Sequence, residues 1–325
     1  MLLDLIRNRR SGIRLYGLTP PKRGQDPEKI RAIAERQVAR IAALAPDGLV
    51  LYDLQDESAR TGAERPFPFL PTLEPTDYAR DFLPALSIPK VFYKSVANLG
   101  REEFRAWLKG CSPGRDAYVM VGASAGKPVL GLTPQSASES IPRLTLPEAY
   151  AILQGNPDSV CFGGVTIAER HAHKGDEDSR LLAKHTGGCR FFISQTIYDA
   201  GATKSLLSAY ALRFAQEGLE PVPFILSFSP CGSLKTMEFM KWLGISFPRW
   251  LENELRHSPD ILAKSVDLAL QVFSDVFAFA QEKGIPVGIN VESVSIRKDE
   301  IEASCELFTQ LSGMLSIPIG IPPQA

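Results

Sequence analysis

Cysteine is sparse and unpaired in this chain of 325 residues: Cys111, Cys161, Cys189, Cys231 and Cys305 form no C-x-x-C pair. That excludes a disulfide framework and a zinc knuckle, and leaves reduced packing residues. Charge of either sign is not in excess, with 36 Lys and Arg against 37 Asp and Glu. Without a basic field or an acidic tail, nucleic acid is not an expected partner, and a small-molecule ligand becomes the default. No apolar run approaches the ~20 residues of a membrane span. The opening MLLDLIRNRRSG lacks the order of charges, apolar core and cleavage site of a signal peptide, so a cytoplasmic location is expected. Nucleotide signatures are missing too. No G-x-G-x-x-G follows an apolar run, and GASAGKP (Gly122 to Pro128) is one residue short of a phosphate loop, with Pro128 where a magnesium-binding hydroxyl belongs.

What is present is a regular alternation. The segments IRLYG (Ile13 to Gly17), GLVLYD (Gly48 to Asp53), IPKVFYK (Ile88 to Lys94), DAYVMVG (Asp116 to Gly122), SVCFGGV (Ser159 to Val165), CRFFISQ (Cys189 to Gln195), VPFILSF (Val222 to Phe228) and IPVGINVE (Ile285 to Glu292) are short, apolar and rich in β-branched and aromatic residues. Most are separated by helical patterns, such as the one after Asp26 and Pro27, a cap followed by a first-turn proline. Eight such units without an internal linker predict an α/β fold, a single (β/α)₈ barrel over residues 1–325, in preference to a doubly wound sheet. Two long irregular segments follow strands, Leu54 to Glu74 with RPFPFLPT and Ala123 to Leu144, and a barrel places both on its catalytic face. Such a Pro/Ser-rich stretch is also compatible with a linker between half-domains, but the strand spacing continues on either side.

Candidate chemistry lies where strands should end. Tyr52 and Asp53, Tyr93 and Lys94, Gln195, Ser227 and Ser229, and Asn290 and Glu292 would emerge at one rim and converge on a ligand pocket. Each alone is more often a turn residue. The stretch AERHAHKGDEDS (Ala168 to Ser179) gathers histidines and carboxylates. Its spacing fits no standard zinc motif, its acids would also suit a helix start, and no metal is assigned. Gln195, closing the apolar run FFISQ, reads as a turn cap or a ligand contact.

Four stretches, in order, resemble the methylenetetrahydrofolate reductase family: LTPPK (Leu18 to Lys22), GVTIAERH (Gly164 to His171), FFISQTIYD (Phe191 to Asp199) and SFPRWLENEL (Ser246 to Leu255). The resemblance runs from about Ile13 to Ser295. It implies a folate substrate, FAD on the C-terminal face, NADH or NADPH as hydride source, and 5,10-methylene-tetrahydrofolate reduced to 5-methyl-tetrahydrofolate. By the same resemblance Gln195 contacts the pterin; Tyr198, in the same stretch, and Glu292, at the rim, are also assigned to substrate. Tyr93, Gly122, His171, Arg180 and Lys184 fall around the cofactor, Lys184 toward its phosphates. The chain departs from the family at several positions. Gly17 stands where the family has its glutamate acid, and Val121, Gly122 and Ala123 stand where it has Arg-Gly-Asp. Tyr93 replaces a histidine and Arg180 an asparagine. Opening the methylene bridge needs a proton, so another acid is expected. Asp53 and Glu169 are the first choices, with Asp56, Glu57 and Glu292 as further carboxylates near the rim. A non-catalytic folate-binding or partner subunit, and a different one-carbon enzyme on the same barrel, are the competing readings. A homo-oligomer is left open.

Overall fold

The computed structural model describes residues 1–56, 64–97, 99–122, 143–156 and 160–315. The chain opens with α1 (Leu2–Arg7), β1 (Arg14–Leu18), α2 (Pro27–Leu44), β2 (Gly48–Leu51), α3 (Pro75–Phe82), β3 (Lys90–Ser95), α4 (Arg101–Leu108) and β4 (Ala117–Val121). It continues through α5 (Leu146–Gln154), β5 (Cys161–Thr166), α6 (Ala168–Lys174), α7 (Glu177–Thr186), β6 (Phe192–Thr196) and α8 (Ala200–Gln216). Then come β7 (Phe224–Phe228), α9 (Leu234–Trp242), α10 (Arg249–Arg256), α11 (Ile261–Glu282), β8 (Val287–Glu292) and α12 (Lys298–Leu315).

All eight expected strands form, and β1 to β8 pair parallel in sequence order and close into a barrel. The helices start where local chemistry says they should. Asp26 accepts from Glu28 N at 2.7 Å with Pro27 in the first turn of α2, and Asp199 and Asp260 cap α8 and α11 through Ala202 N and Ala263 N.

Strand alternation divides the interior into two cores. Facing outward under the helices are Tyr16, Leu49, Leu51, Phe92, Tyr118, Phe162, Phe192, Phe224, Phe228 and Ile289, all buried. Burial of each such side chain is worth roughly 1.5–3 kcal/mol. Facing the barrel axis are Leu15, Val50, Val91, Ala117, Val119, Cys161, Ile193 and Ile225. The first residues form α1, whose Leu2, Leu3 and Ile6 join this inner core. Gly48, at the start of β2, makes room for it, since a Cβ there would stand 2.7 Å from Leu2 Cδ2. The N-terminal end of the barrel is therefore plugged.

Of the two long segments expected on the catalytic face, residues 64–73 are irregular, joined to the β1 exit by a bridge between Lys22 and Thr72. Residues 57–63, with Glu57, and 123–142 lie outside the described residues. All five cysteines are free. Among the described residues, no helix is long and apolar enough to cross a membrane.

Candidate functional site

At the C-terminal end the inner parity continues from apolar to polar residues. One step beyond Leu15, Val50, Val91, Ile193 and Ile225 come Gly17, Tyr52, Tyr93, Gln195 and Ser227, with Asn290 and Glu292 contributed by β8. The Tyr52 and Tyr93 rings meet edge to face at 4.8 Å. Asn290 Nδ2 donates to the Tyr52 hydroxyl at 2.8 Å and to Ser227 Oγ at 3.3 Å, and Tyr52 hydrogen-bonds Glu292.

Strand β6 breaks its register here. Ile193 pairs with Ile225, but Thr196 pairs with Ser227, so one extra residue is inserted beside Gln195. Such a bulge re-aims side chains. Thr196 thereby reaches Glu292, its Oγ1 3.5 Å from Oε1, while Gln195 remains at the ring. The Gln195 Nε2 donates to Leu243 O at 2.9 Å. A carbonyl only accepts, which fixes the amide's orientation and leaves Oε1 buried without a partner. Asn290 Oδ1 is likewise buried and unpartnered.

Electrostatically the ring holds protons tightly. Desolvation lifts the Glu292 carboxyl to about 7, against smaller opposing pulls from the Tyr52 and Thr196 hydroxyls. Burial, reinforced by the Glu292 charge, raises both Tyr52 and Tyr93 far above the usual phenol range. Gly17 sits directly opposite Glu292 in the β1–β8 register.

The other expected site residues have different surroundings. Asp53 ties two strand exits together, accepting from Ser95 N at 2.9 Å and from Gln55 Nε2 at 2.8 Å. Glu169, buried in the first turn of α6, accepts from Ser246 N at 3.2 Å, and burial raises its carboxyl. The turn from Leu243 to Ser246 thus receives both Gln195 and Glu169. Tyr198 is fully buried, stacks on Phe247 at 4.3 Å and donates its hydroxyl to Ser229 O at 2.6 Å. Its phenol thus has a structural partner and its ring packs in the core.

Several of the positions carried over for a flavin have partners within the chain. Lys184 points its ammonium at Val165 O and at Glu177, 3.9 Å away, and desolvation lowers its pKa. Arg180 pairs with Asp176 at 3.0 Å, and His171 Nδ1 lies 3.7 Å from Asp178. Gly122 is lined by Leu146, whose Cγ would be 2.7 Å from an added Cβ. Lys184, the cation expected on the phosphates, and Arg180 thus both have partners within the chain. Among the described residues, no three His, Cys, Asp or Glu side chains converge to hold a metal.

A solved structure of an uncharacterized protein from Clostridium thermocellum that binds two copies of 5-methyl-5,6,7,8-tetrahydrofolic acid is 42% identical to this chain. The match covers 97% of this chain and 100% of that one, with a TM-score of 0.82. This chain belongs to the same family as that protein. No protein-family model matches, and no curated protein does. Xanthomonas albilineans dihydropteroate synthase (14% identity, 97% of this chain and 98% of that one, TM-score 0.39) and 2,3-dimethylmalate lyase (13%, 96% and 94%, 0.43) are remote, and nothing about the site rests on them.

Asn290, Ser227 and Glu292 belonged to the rim expected from the sequence. The contact of Thr196 with Glu292 did not, because it depends on the bulge in β6. The only sequence signal for it was a hydroxyl following Gln195.

Proposed function

We propose that the barrel mouth binds a reduced folate carrying a one-carbon unit, with Gln195 and Asn290 addressing the pterin edge, and reduces 5,10-methylene-tetrahydrofolate with hydride from NADH or NADPH. The observation that carries this reading is the pair of buried, unpartnered amide oxygens at one ring of a chain closely related to a methyl-tetrahydrofolate binder. A buried acceptor left unsatisfied costs about 1–3 kcal/mol. The pyrimidine edge of a reduced pterin supplies the matching N–H donors. No step is routed through FAD, since the residues matched to it are engaged elsewhere. The resemblance to the reductase family supplies the reaction class.

The direct test is calorimetric titration with 5-methyl-tetrahydrofolate, followed by nicotinamide oxidation dependent on added 5,10-methylene-tetrahydrofolate. Folate binding with turnover supports the reading. Gln195→Ala should weaken folate binding by about 1–3 kcal/mol, roughly 5- to 150-fold in Kd. Unchanged affinity in that variant removes Gln195 from the site.

A second reading, a folate-binding protein without catalysis, is favoured by the glycine at position 17 and by the internal partners of Lys184 and Arg180. Binding without nicotinamide oxidation selects it.

A further inference from the structure

We propose that Glu292 is the proton carrier of the barrel mouth, supplying from β8 the acid that β1 lacks at Gly17 and presenting its proton to the N5–N10 bridge of the bound folate. This rests on the folate reading above. The geometry starts with register. Gly17 and Glu292 are paired across the β1–β8 seam, so an acid moved from one position to the other shifts by one strand and stays at the same step of the ladder.

The space at Gly17 is already taken. A Cβ there would lie 2.8 Å from the Tyr52 hydroxyl, 2.9 Å from Tyr52 Cε2 and 3.2 Å from Glu292 Cβ. Any side chain at position 17 must therefore displace one of them. Glycine is required so that Tyr52 and Glu292 can occupy this volume together.

The partners of Glu292 suit a group that changes its charge. Its hydrogen bonds are to the hydroxyls of Tyr52 and Thr196. A hydroxyl donates to a carboxylate and accepts from a carboxylic acid, so both protonation states are held by the same neighbours. The facing groups are Tyr52 just after β2, Tyr93 from β3 and Thr196 from β6, with Asn290 two residues before it on its own strand. Among the described residues, no cation lies within ion-pair distance to lock the charge. Desolvation, which lifts the carboxyl to about 7, agrees with this arrangement.

Of the other carboxylates near the mouth, Asp53 accepts from Ser95 N, Glu169 from Ser246 N, and Glu74 pairs with Lys94 at 3.1 Å. In the step itself, the methylene carbon–N10 bond breaks with its electron pair going to N10, which takes the proton from Glu292. The resulting N5 iminium accepts hydride at the methylene carbon, forming the methyl C–H bond, and the dihydronicotinamide is oxidised. Glu292, left as a carboxylate, is reprotonated from solvent.

The test needs a readout that does not depend on turnover. A folate that further desolvates Glu292 raises its proton affinity, so binding near pH 7 should take up a fraction of a proton. That uptake is measured by titrating 5-methyl-tetrahydrofolate calorimetrically in buffers of different ionisation enthalpy. Glu292→Gln, nearly isosteric, should bind within about threefold of wild type with no proton uptake. Its turnover with 5,10-methylene-tetrahydrofolate should fall at least about 100-fold, the lower end of what a general acid contributes. Proton uptake undiminished in Glu292→Gln overturns the proposal. Uptake that depends on Glu292 but is accompanied by no nicotinamide oxidation supports the proton carrier and overturns the reductase chemistry. Absence of folate binding to the wild type overturns the folate reading, and this proposal with it. Circular dichroism and a second variant, Glu292→Asp, which keeps the carboxyl and should retain proton uptake, separate loss of the proton from loss of the fold.

Discussion

Tyr52 tempers the proton affinity that burial gives Glu292. Its hydroxyl donates to the carboxylate and lowers the pKa, against the larger desolvation that raises it. Removing the donor disfavours the charged form, so Tyr52→Phe should move the Glu292 midpoint upward. A hydrogen bond worth about 1 kcal/mol corresponds to less than one pH unit. The pH dependence of proton uptake, or of turnover, reads this directly, and a midpoint that stays or falls would deny Tyr52 the role. At this scale the sequence showed which residues reach the rim but not which neighbours they meet there. Gln195 was legible because a polar amide ends an apolar strand. Asp53 looked equally available until the fold placed Ser95 N beside it. Glu292 ranked behind Asp53 and Glu169 because its closeness to Gly17 is a register between the two ends of the chain. Nothing in either local sequence encodes that pairing.

Elements were the most legible level, with two exceptions that share a cause. The strands could be read because β-branched and aromatic runs of this length form strands in any context, and their number and spacing imply closure. Helix α1 could not, since six residues are too short to hold a helix by propensity, and its apolar side chains have a purpose only once a barrel floor exists. The bulge in β6 was hidden for the same reason, because an extra residue is defined against the partner strand. The division of labour between the two ends can be tested. Leu2, fully buried against the inner core and near Gly48, lies at the floor, and the polar ring lies at the mouth. Leu2→Ala should destabilise the protein by about 2–4 kcal/mol in urea denaturation. Folate affinity of the folded variant should be unchanged within error. A loss of affinity without a loss of stability would mean that the floor and the mouth are coupled.

For the whole molecule, the buried carboxyls determine how stability responds to pH. Desolvation raises the pKa of Glu292 to about 7, and Asp116, Glu169 and Glu300 are raised for the same reason. A group whose folded pKa lies above its unfolded value binds more protons in the folded state between the two values. Stability therefore falls as pH rises from about 4.5 through 7. The carboxyls shifted the other way, such as Glu148, held down to about 2 by the Thr145 backbone N–H and hydroxyl and then by Arg101, act below that window. Most are exposed and weigh little, whereas Glu74, held down by Thr76 and Lys94 against its desolvation, is half-buried. His185, whose pKa burial lowers, opposes the trend near neutrality, but it is a single half-buried ring against four carboxyls. Lys90, lowered to about 8 by burial, acts above the window. Among these groups Glu292 carries the loss furthest toward neutrality, so stability is higher at pH 5 than at pH 7. Urea denaturation at pH 5, 6, 7 and 8 should show a falling free energy of unfolding, with the steepest loss between pH 5 and 7. Glu292→Gln should flatten part of that slope and be relatively more stable than wild type at pH 8 than at pH 5. A wild-type stability that rises across this interval would mean that these carboxyls are better solvated than their burial implies, and the proton proposed for Glu292 would then be lost well below neutral pH.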